Sequence, residues 1–283
     1  MKIPPVCALG LFVSALAPAE PPALPSWVAV EKNIRYDKYE ETVLDVLQPS
    51  NAPAGKRPGV LLIHGGGWVG GSKEGVAVPF GLPYLEKGFV VANIGYRLAP
   101  ASPAPAAVED VLKAARWFHD RASQYNVDPH RIVVSGDSSG GHLALMAGMV
   151  PRSAGFGSPA RVAAVVNFYG ITDVGEQIEG PGMRDYAAQW VPEQPDRRRL
   201  AHRLSPTTYV RRKLPPILTV HGDEDPVVPY EQGIRLTKAL VSLNATAELI
   251  PVRRGEHGFP PEEMAAVYRQ IFDFLQRVGV LKE

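Results

Sequence analysis

Three segments far apart in the chain carry residue types suited to nucleophilic chemistry, and one of them sets the terms for the others. Gly136-Asp137-Ser138-Ser139-Gly140 fits G-x-S-x-G, the pattern of a serine held on a sharp turn between a strand and a helix. Ile132-Val133-Val134-Ser135 before it reads as strand, and His142 to Val150 after it reads as helix. Such a turn brings strand and helix so close that side chains two residues either side of the serine would clash. Both positions are glycine. Ser139 is one residue out of register, since Asp137 stands two before it, so Ser138 is the expected nucleophile.

A serine attacking a carbonyl needs donors for the oxyanion that forms, a base for its own proton and an acid to orient the base. His64-Gly65-Gly66-Gly67-Trp68 ends an apolar run that begins at Gly59. Glycines let backbone amides approach a substrate oxygen closely, and each such donor is worth roughly 3 kcal/mol in the transition state. Gly66 N–H and Gly67 N–H are the expected donors, with Ser139 N–H as the third. His64 reads as an anchor for the loop. Of seven histidines only His257 lies beyond the acidic run Asp223-Glu224-Asp225, in Arg254-Gly255-Glu256-His257-Gly258-Phe259, where flanking glycines suit a tight loop presenting an imidazole. Asp225 is the preferred acid, although spacing alone leaves Asp223 and Glu224 open.

Other chemistries fit less well. Gly-Asp-Ser also occurs in trypsin-like proteases, but those are antiparallel barrels whose histidine and aspartate precede the serine. The glycine loop lacks the spacing of a phosphate-binding or dinucleotide fingerprint. No histidine or carboxylate partner stands at a metal-ligand spacing from the acids, so no metal is expected, and the chemistry needs no cofactor.

The elements that must position these residues alternate along the chain. Strand-like pieces lie near Glu31–Tyr36, Thr42–Gln48, Gly59–His64, Phe89–Ile94, Ile132–Ser135, Val162–Phe168, Ile217–His221 and Ala247–Pro251. Several are continuous apolar runs, as expected of strands buried on both faces of a parallel sheet. Val108, Val111, Leu112, Ala115, Phe118, Ala122 and Tyr125 recur at helical spacing, and Glu231–Leu243 and Glu262–Val278 also read as helices. The fold class is therefore α/β, with a mainly parallel sheet covered by helices on both faces. Residues 171–205, rich in Gly, Pro, Arg and aromatics, break the rhythm and read as an insertion over the sheet edge. Met183, Tyr186 and Trp190 within it, and Trp68 after the glycine loop, are candidates to line the acyl or alcohol pocket. The alternative for all four is packing.

Composition narrows the function classes. The chain has 283 residues, 45% apolar and 21% charged, with 30 Lys plus Arg against 29 Asp plus Glu. Its longest basic clusters, Arg197-Arg198-Arg199 and Arg211-Arg212-Lys213, are too short to suggest nucleic-acid binding. Residues 1–19 have the layout of a secretory signal: Lys2, an apolar stretch Val6 to Ala17 broken by Ser14, then Ala17-Pro18-Ala19. That stretch is too short to span a bilayer, and no other comes near the required length. The expected organisation is a signal at 1–19 and one domain over 20–283, secreted or periplasmic. Cys7, the only cysteine, falls inside the signal, which leaves the remainder without disulfides or a thiolate nucleophile.

Taken together, the motifs resemble those of the α/β-hydrolase esterases, particularly the bacterial feruloyl and acetyl-xylan esterase-like group called BD-FAE. The likeness is carried by His64-Gly65-Gly66-Gly67-Trp68, Tyr96-Arg97-Leu98-Ala99-Pro100, Gly136 to Ala144, Ser205-Pro206, His221-Gly222-Asp223-Glu224-Asp225 with Val228-Pro229, and His257-Gly258-Phe259. The first two stretches also resemble the hormone-sensitive-lipase group. The resemblance implies the α/β-hydrolase fold, a Ser138–His257–Asp225 triad and an ester substrate, small or linked to polysaccharide, with acetyl and feruloyl groups as candidates. It favours Asp225 over Asp223. General short-chain carboxylesterase activity is the nearest alternative, followed by formamidase, peptidase or a non-catalytic binding role. Ser139 stands where many relatives have alanine. Arg97 is expected to pair with Asp110 or Glu109.

Overall fold

The computed structural model describes residues 22–52 and 55–282. The expected signal, with Cys7, lies outside the described residues. The strands are β1 Val28–Arg35, β2 Val43–Pro49, β3 Arg57–Ile63, β4 Val90–Ile94, β5 Val127–Asp137, β6 Ala164–Phe168, β7 Ile217–Gly222 and β8 Ala247–Val252. They form one sheet in the order β1-β2-β4-β3-β5-β6-β7-β8, antiparallel at β1–β2 and β2–β4 and parallel from β4 to β8. The helices are α1 Lys73–Val76, α2 Leu82–Glu86, α3 Ala106–Asp120, α4 Ser139–Met149, α5 Gly175–Ile178, α6 Asp185–Trp190, α7 Arg197–Leu204, α8 Tyr230–Ser242 and α9 Pro261–Arg277.

The apolar runs in the central strands follow from burial on both faces. In β3, Leu61 and Ile63 join a core with α3, α4 and α8, whereas Val60 and Leu62 join a second core with α2 and α9. Successive side chains of a strand point to opposite faces, so each face needs its own apolar set. The edges are polar instead: Glu31 and Lys32 on β1 and Glu248 on β8 are exposed, which discourages pairing with another chain.

Two features depart from the expectations. Residues 73–86 form α1, a π-helical turn at Ala77–Gly81 and α2, although the sequence shows no helical period there. Pro79, Gly81 and Pro83 interrupt the pattern that would have marked a helix. Residues 171–205 form α5, α6 and α7. They do not cover the sheet edge, because β6, from which they emerge, lies between β5 and β7. They pack over the carboxyl ends of the central strands. Trp190 stacks on Trp68 beyond β3, Thr172 N–H donates to Gln232 Oε1 at the start of α8, and Arg184 Nη2 donates to Pro226 O beyond β7.

Arg97 pairs chiefly with Asp110. Its Nε and Nη2 donate to the carboxylate at 2.8 and 2.6 Å, its backbone N–H adds a third bond at 3.0 Å, and Glu109 is peripheral at 3.3 Å. Asp110 is wholly buried, and removing one partner of such a pair typically costs about 3–5 kcal/mol because the other charge stays buried alone. The pair ties the segment after β4 to α3.

Candidate active site

The sheet delivers three loops to one point above its carboxyl edge. Ser138 follows β5 directly with φ 53° and ψ −120°, and α4 begins at the next residue. A non-glycine residue with positive φ is strained, and such strain persists where surrounding packing enforces it. Here the packing is tight: a Cβ on Gly136 would come within 2.5 Å of the Gly140 backbone, and one on Gly140 would overlap the carbonyls of Ile63 and His64. The two glycines flanking the serine are thus required by contact with β3 as well as by the turn itself.

His257 Nε2 lies 2.8 Å from Ser138 Oγ, and its Nδ1 lies 2.8 Å from Asp225 Oδ2. Of the three acids after β7 only Asp225 reaches the imidazole. Asp223 and Glu224 are exposed, and Asp223 accepts the Arg254 N–H instead. Asp225 Oδ1 accepts N–H groups from Val227 and Val228 at 2.8 and 3.0 Å, a local turn that aspartate favours and that fixes the carboxylate. Burial pushes its carboxyl up, but hydrogen bonds from His221 and His257 and the Val228 N–H outweigh that and hold it well below the usual carboxylate range. It is therefore an anion at neutral pH. With Nδ1–H donated to that anion, Nε2 is left free to accept the serine proton.

The glycine loop closes the other side. Gly66 and Gly67 have φ of 117° and 61°, and their N–H groups donate to no protein group among the described residues. Ser139 N–H, in the first turn of α4, has no intrahelical acceptor. The Ser139 side chain is fully buried, and its Oγ makes no hydrogen bond of ordinary geometry among the described residues. His64 anchors the loop as expected: Nδ1–H donates to Gly65 O, its ring stacks on Tyr96 at 4.3 Å, and burial lowers it to about 4, keeping it neutral.

The aromatic residues assigned to the pocket divide. Trp68 and Trp190 are completely buried and stack on one another at 4.1 Å with 10° between planes. Trp68 Nε1–H donates to His142 Nδ1, and His142 Nε2–H donates to Leu204 O at 2.7 Å. Both tryptophans are core residues that fasten the insertion to the glycine loop, a correction to the pocket-lining expectation. Tyr186 is half-buried with its ring against Gly67 and its hydroxyl donated to Gln177 Oε1. Met183 is 49% exposed on the insertion.

Two further groups at the site escaped sequence reasoning. His221, wholly buried, lies with Nε2 2.9 Å from Val228 O and 3.4 Å from Asp225 Oδ2. Asp137, the residue before the serine, accepts the Gly65 N–H at 2.9 Å and so joins the nucleophile turn to the glycine loop. Burial pushes its carboxyl up to about 6 against an ordinary 3.8, with the Gly65 N–H and the charge of His257 acting in the opposite direction. A carboxyl raised on folding holds its proton more tightly in the folded chain, so its contribution to stability is greatest at low pH and is lost as pH climbs from about 4 to about 6. Asp137→Asn keeps an oxygen for Gly65 N–H and removes the charge. Urea denaturation at pH 4 and pH 7 is expected to show the variant gaining stability over wild type at the higher pH. An equal difference at both values would mean Asp137 titrates normally.

Among the described residues, no group of three or more His, Cys, Asp or Glu is placed to hold a metal ion, and no helix is long and apolar enough to cross a membrane.

A mostly parallel sheet covered on both faces, a strained serine between strand and helix, and a histidine and an acid arriving from later loops define the α/β-hydrolase class. A family model, BD-FAE, matches residues 44–240, more than half of the chain. The chain belongs to the BD-FAE family. It is 32% identical over 216 residues to a Mycobacterium tuberculosis protein named "Probable carboxylic ester hydrolase LipM", covering 72% of this chain and 50% of LipM. It thus spans half of that relative's length. Among solved structures, a truncated carbohydrate esterase from gut microbiota superposes with a TM-score of 0.80 at 26% identity, covering 91% of this chain and 98% of that one. The butyrate-bound Est2 esterase of Thermogutta terrifontis superposes with a TM-score of 0.73 at 26% identity, covering 90% and 96%.

Proposed function

We propose that the protein hydrolyses carboxylic esters through an acyl-enzyme on Ser138. The reading rests on one observation above all: two 2.8 Å hydrogen bonds link the serine, the imidazole and a fixed carboxylate in line. His257 Nε2 takes the Ser138 proton as Oγ attacks the ester carbonyl, and Asp225 stabilises the imidazolium that results. The oxyanion accepts hydrogen bonds from Gly66, Gly67 and Ser139 N–H. His257 then gives its proton to the departing alcohol, and water repeats the sequence in reverse to release the acid. None of these steps calls on a metal or cofactor.

For substrate, acetyl or feruloyl groups on plant polysaccharide are the first choice. Family membership, the carbohydrate esterase neighbour and the export signal read in residues 1–19 support it. A general short-chain carboxylesterase is the second reading, favoured by the neighbour that binds butyrate.

Paraoxon tests the nucleophile without presuming the natural ester. Serine Oγ displaces p-nitrophenolate from phosphorus, and peptide mapping is expected to find the diethylphosphoryl group on the peptide holding Ser138. Turnover of acetylated xylan, methyl ferulate and p-nitrophenyl butyrate then separates the substrate readings. Label on a different residue, or no turnover of any ester, would overturn the assignment.

A further inference from the structure

Tyr169 is the residue that the mechanism above leaves unused and that the fold holds most deliberately. It follows β6 directly and has φ 38°, a left-handed value that a tyrosine adopts only under constraint. The constraint is visible. Tyr169 N–H donates to Val220 O at 2.7 Å, continuing the pairing with β7, and the next residue turns sharply as Gly170 N–H donates to Asn167 Oδ1. A Cβ on Gly170 would lie 2.6 Å from the backbone of Gly141 and His142, so the chain is pressed against the first turn of α4.

The twist changes where the side chain goes. Along β6, Val165 faces one core and Ala164, Val166 and Phe168 face the other. Strand alternation would send Tyr169 to the face of Val165. It lies instead on the side of Phe168, with its ring 4.7 Å from the His257 imidazole at 56° and 5.3 Å from Phe259. The left-handed residue therefore delivers an aromatic ring against the histidine.

Such a contact answers a need the two hydrogen bonds leave open. Bonds at Nδ1 and Nε2 fix the line joining those atoms, but the ring can still swing about that line. A second ring packed against the imidazole limits the swing. When His257 becomes an imidazolium during attack, the π system of a ring beside it also favours the charge. We propose that Tyr169 is a positioning residue for His257, acting through its ring and not through its hydroxyl. The proposal rests on the hydrolysis assigned to Ser138.

The test compares Tyr169→Phe with Tyr169→Leu, and with Tyr169→Met as a second filler lacking a ring. Fold is checked by circular dichroism and thermal midpoint. Tyr169→Phe is expected to keep kcat near wild type. Tyr169→Leu and Tyr169→Met are expected to lose about ten- to a hundredfold in kcat with KM little changed, the scale of a small misplacement of a catalytic group. The downfield proton resonance of the His257–Asp225 hydrogen bond should survive in the phenylalanine variant and broaden or vanish in the other two. Full turnover by either ring-free variant, or Tyr169→Phe as slow as Tyr169→Leu, overturns the proposal. Ser138→Ala separates the two readings: if it alone abolishes turnover while Tyr169→Leu is unimpaired, only the positioning role fails. If Ser138→Ala hydrolyses as wild type does, the nucleophile assignment has failed.

Discussion

Ser138→Ala is expected to lower kcat for p-nitrophenyl acetate by about 10⁵- to 10⁶-fold, with little change in thermal midpoint. The size follows from what is lost. On the proposed mechanism no acyl-enzyme forms without Oγ, and the imidazole loses the hydroxyl it would deprotonate. The proposed glycine-loop donors, acting on water attack, are expected to leave measurable catalysis over the uncatalysed reaction. Stability should hold because Ser138 is half-buried, its Oγ makes one hydrogen bond among the described residues, to His257, and alanine brings the same Cβ into the turn. A variant retaining more than a small fraction of wild-type turnover, measured on protein purified apart from host esterases, would remove Ser138 from the mechanism.

Asp225→Asn is the second large effect, a fall in kcat of about 10⁴-fold. The carboxylate accepts Nδ1–H of His257 at one oxygen and two backbone N–H groups at the other. An amide must present its NH2 to one of those sides. If it faces the imidazole, Nδ1 becomes the acceptor, the proton moves to Nε2, and Nε2 can no longer take the serine proton. If it faces the backbone, two N–H donors meet a donor. Glu224→Gln, changing an exposed neighbour, is expected to leave turnover unchanged, and the pair of measurements distinguishes loss of the acid from a general effect of charge. Comparable losses in both variants would point to electrostatics of the whole loop.

Much of the site could be read in the chain because it depends on local geometry. Gly136 and Gly140 are glycine for reasons set within one turn of backbone, and the apolar run before them identifies the strand. His257 could be found by elimination, since the base must follow the acid in this order of elements. What stayed hidden depends on contacts between distant segments. Trp68 and Trp190 are 122 positions apart, and only their stack shows that they belong to the core. Nothing near Asp137 announces that its carboxylate will receive the Gly65 N–H. Tyr169 has no sequence signal of any kind, because a tyrosine after an apolar run is read as one more strand residue. Residues 73–86 were illegible for a different reason: prolines and glycine break the helical period while the surrounding core still enforces helix.

The indole pair has a bearing on how the fold can be altered. Because Trp190 of the cover lies against Trp68, and His142 links Trp68 to Leu204, residues 171–205 and the glycine loop share one dry joint. Swapping residues 171–205 for a cover of another shape would open a hole beside the glycine loop unless position 68 were redesigned in the same step. Met183, 49% exposed, is free of that joint.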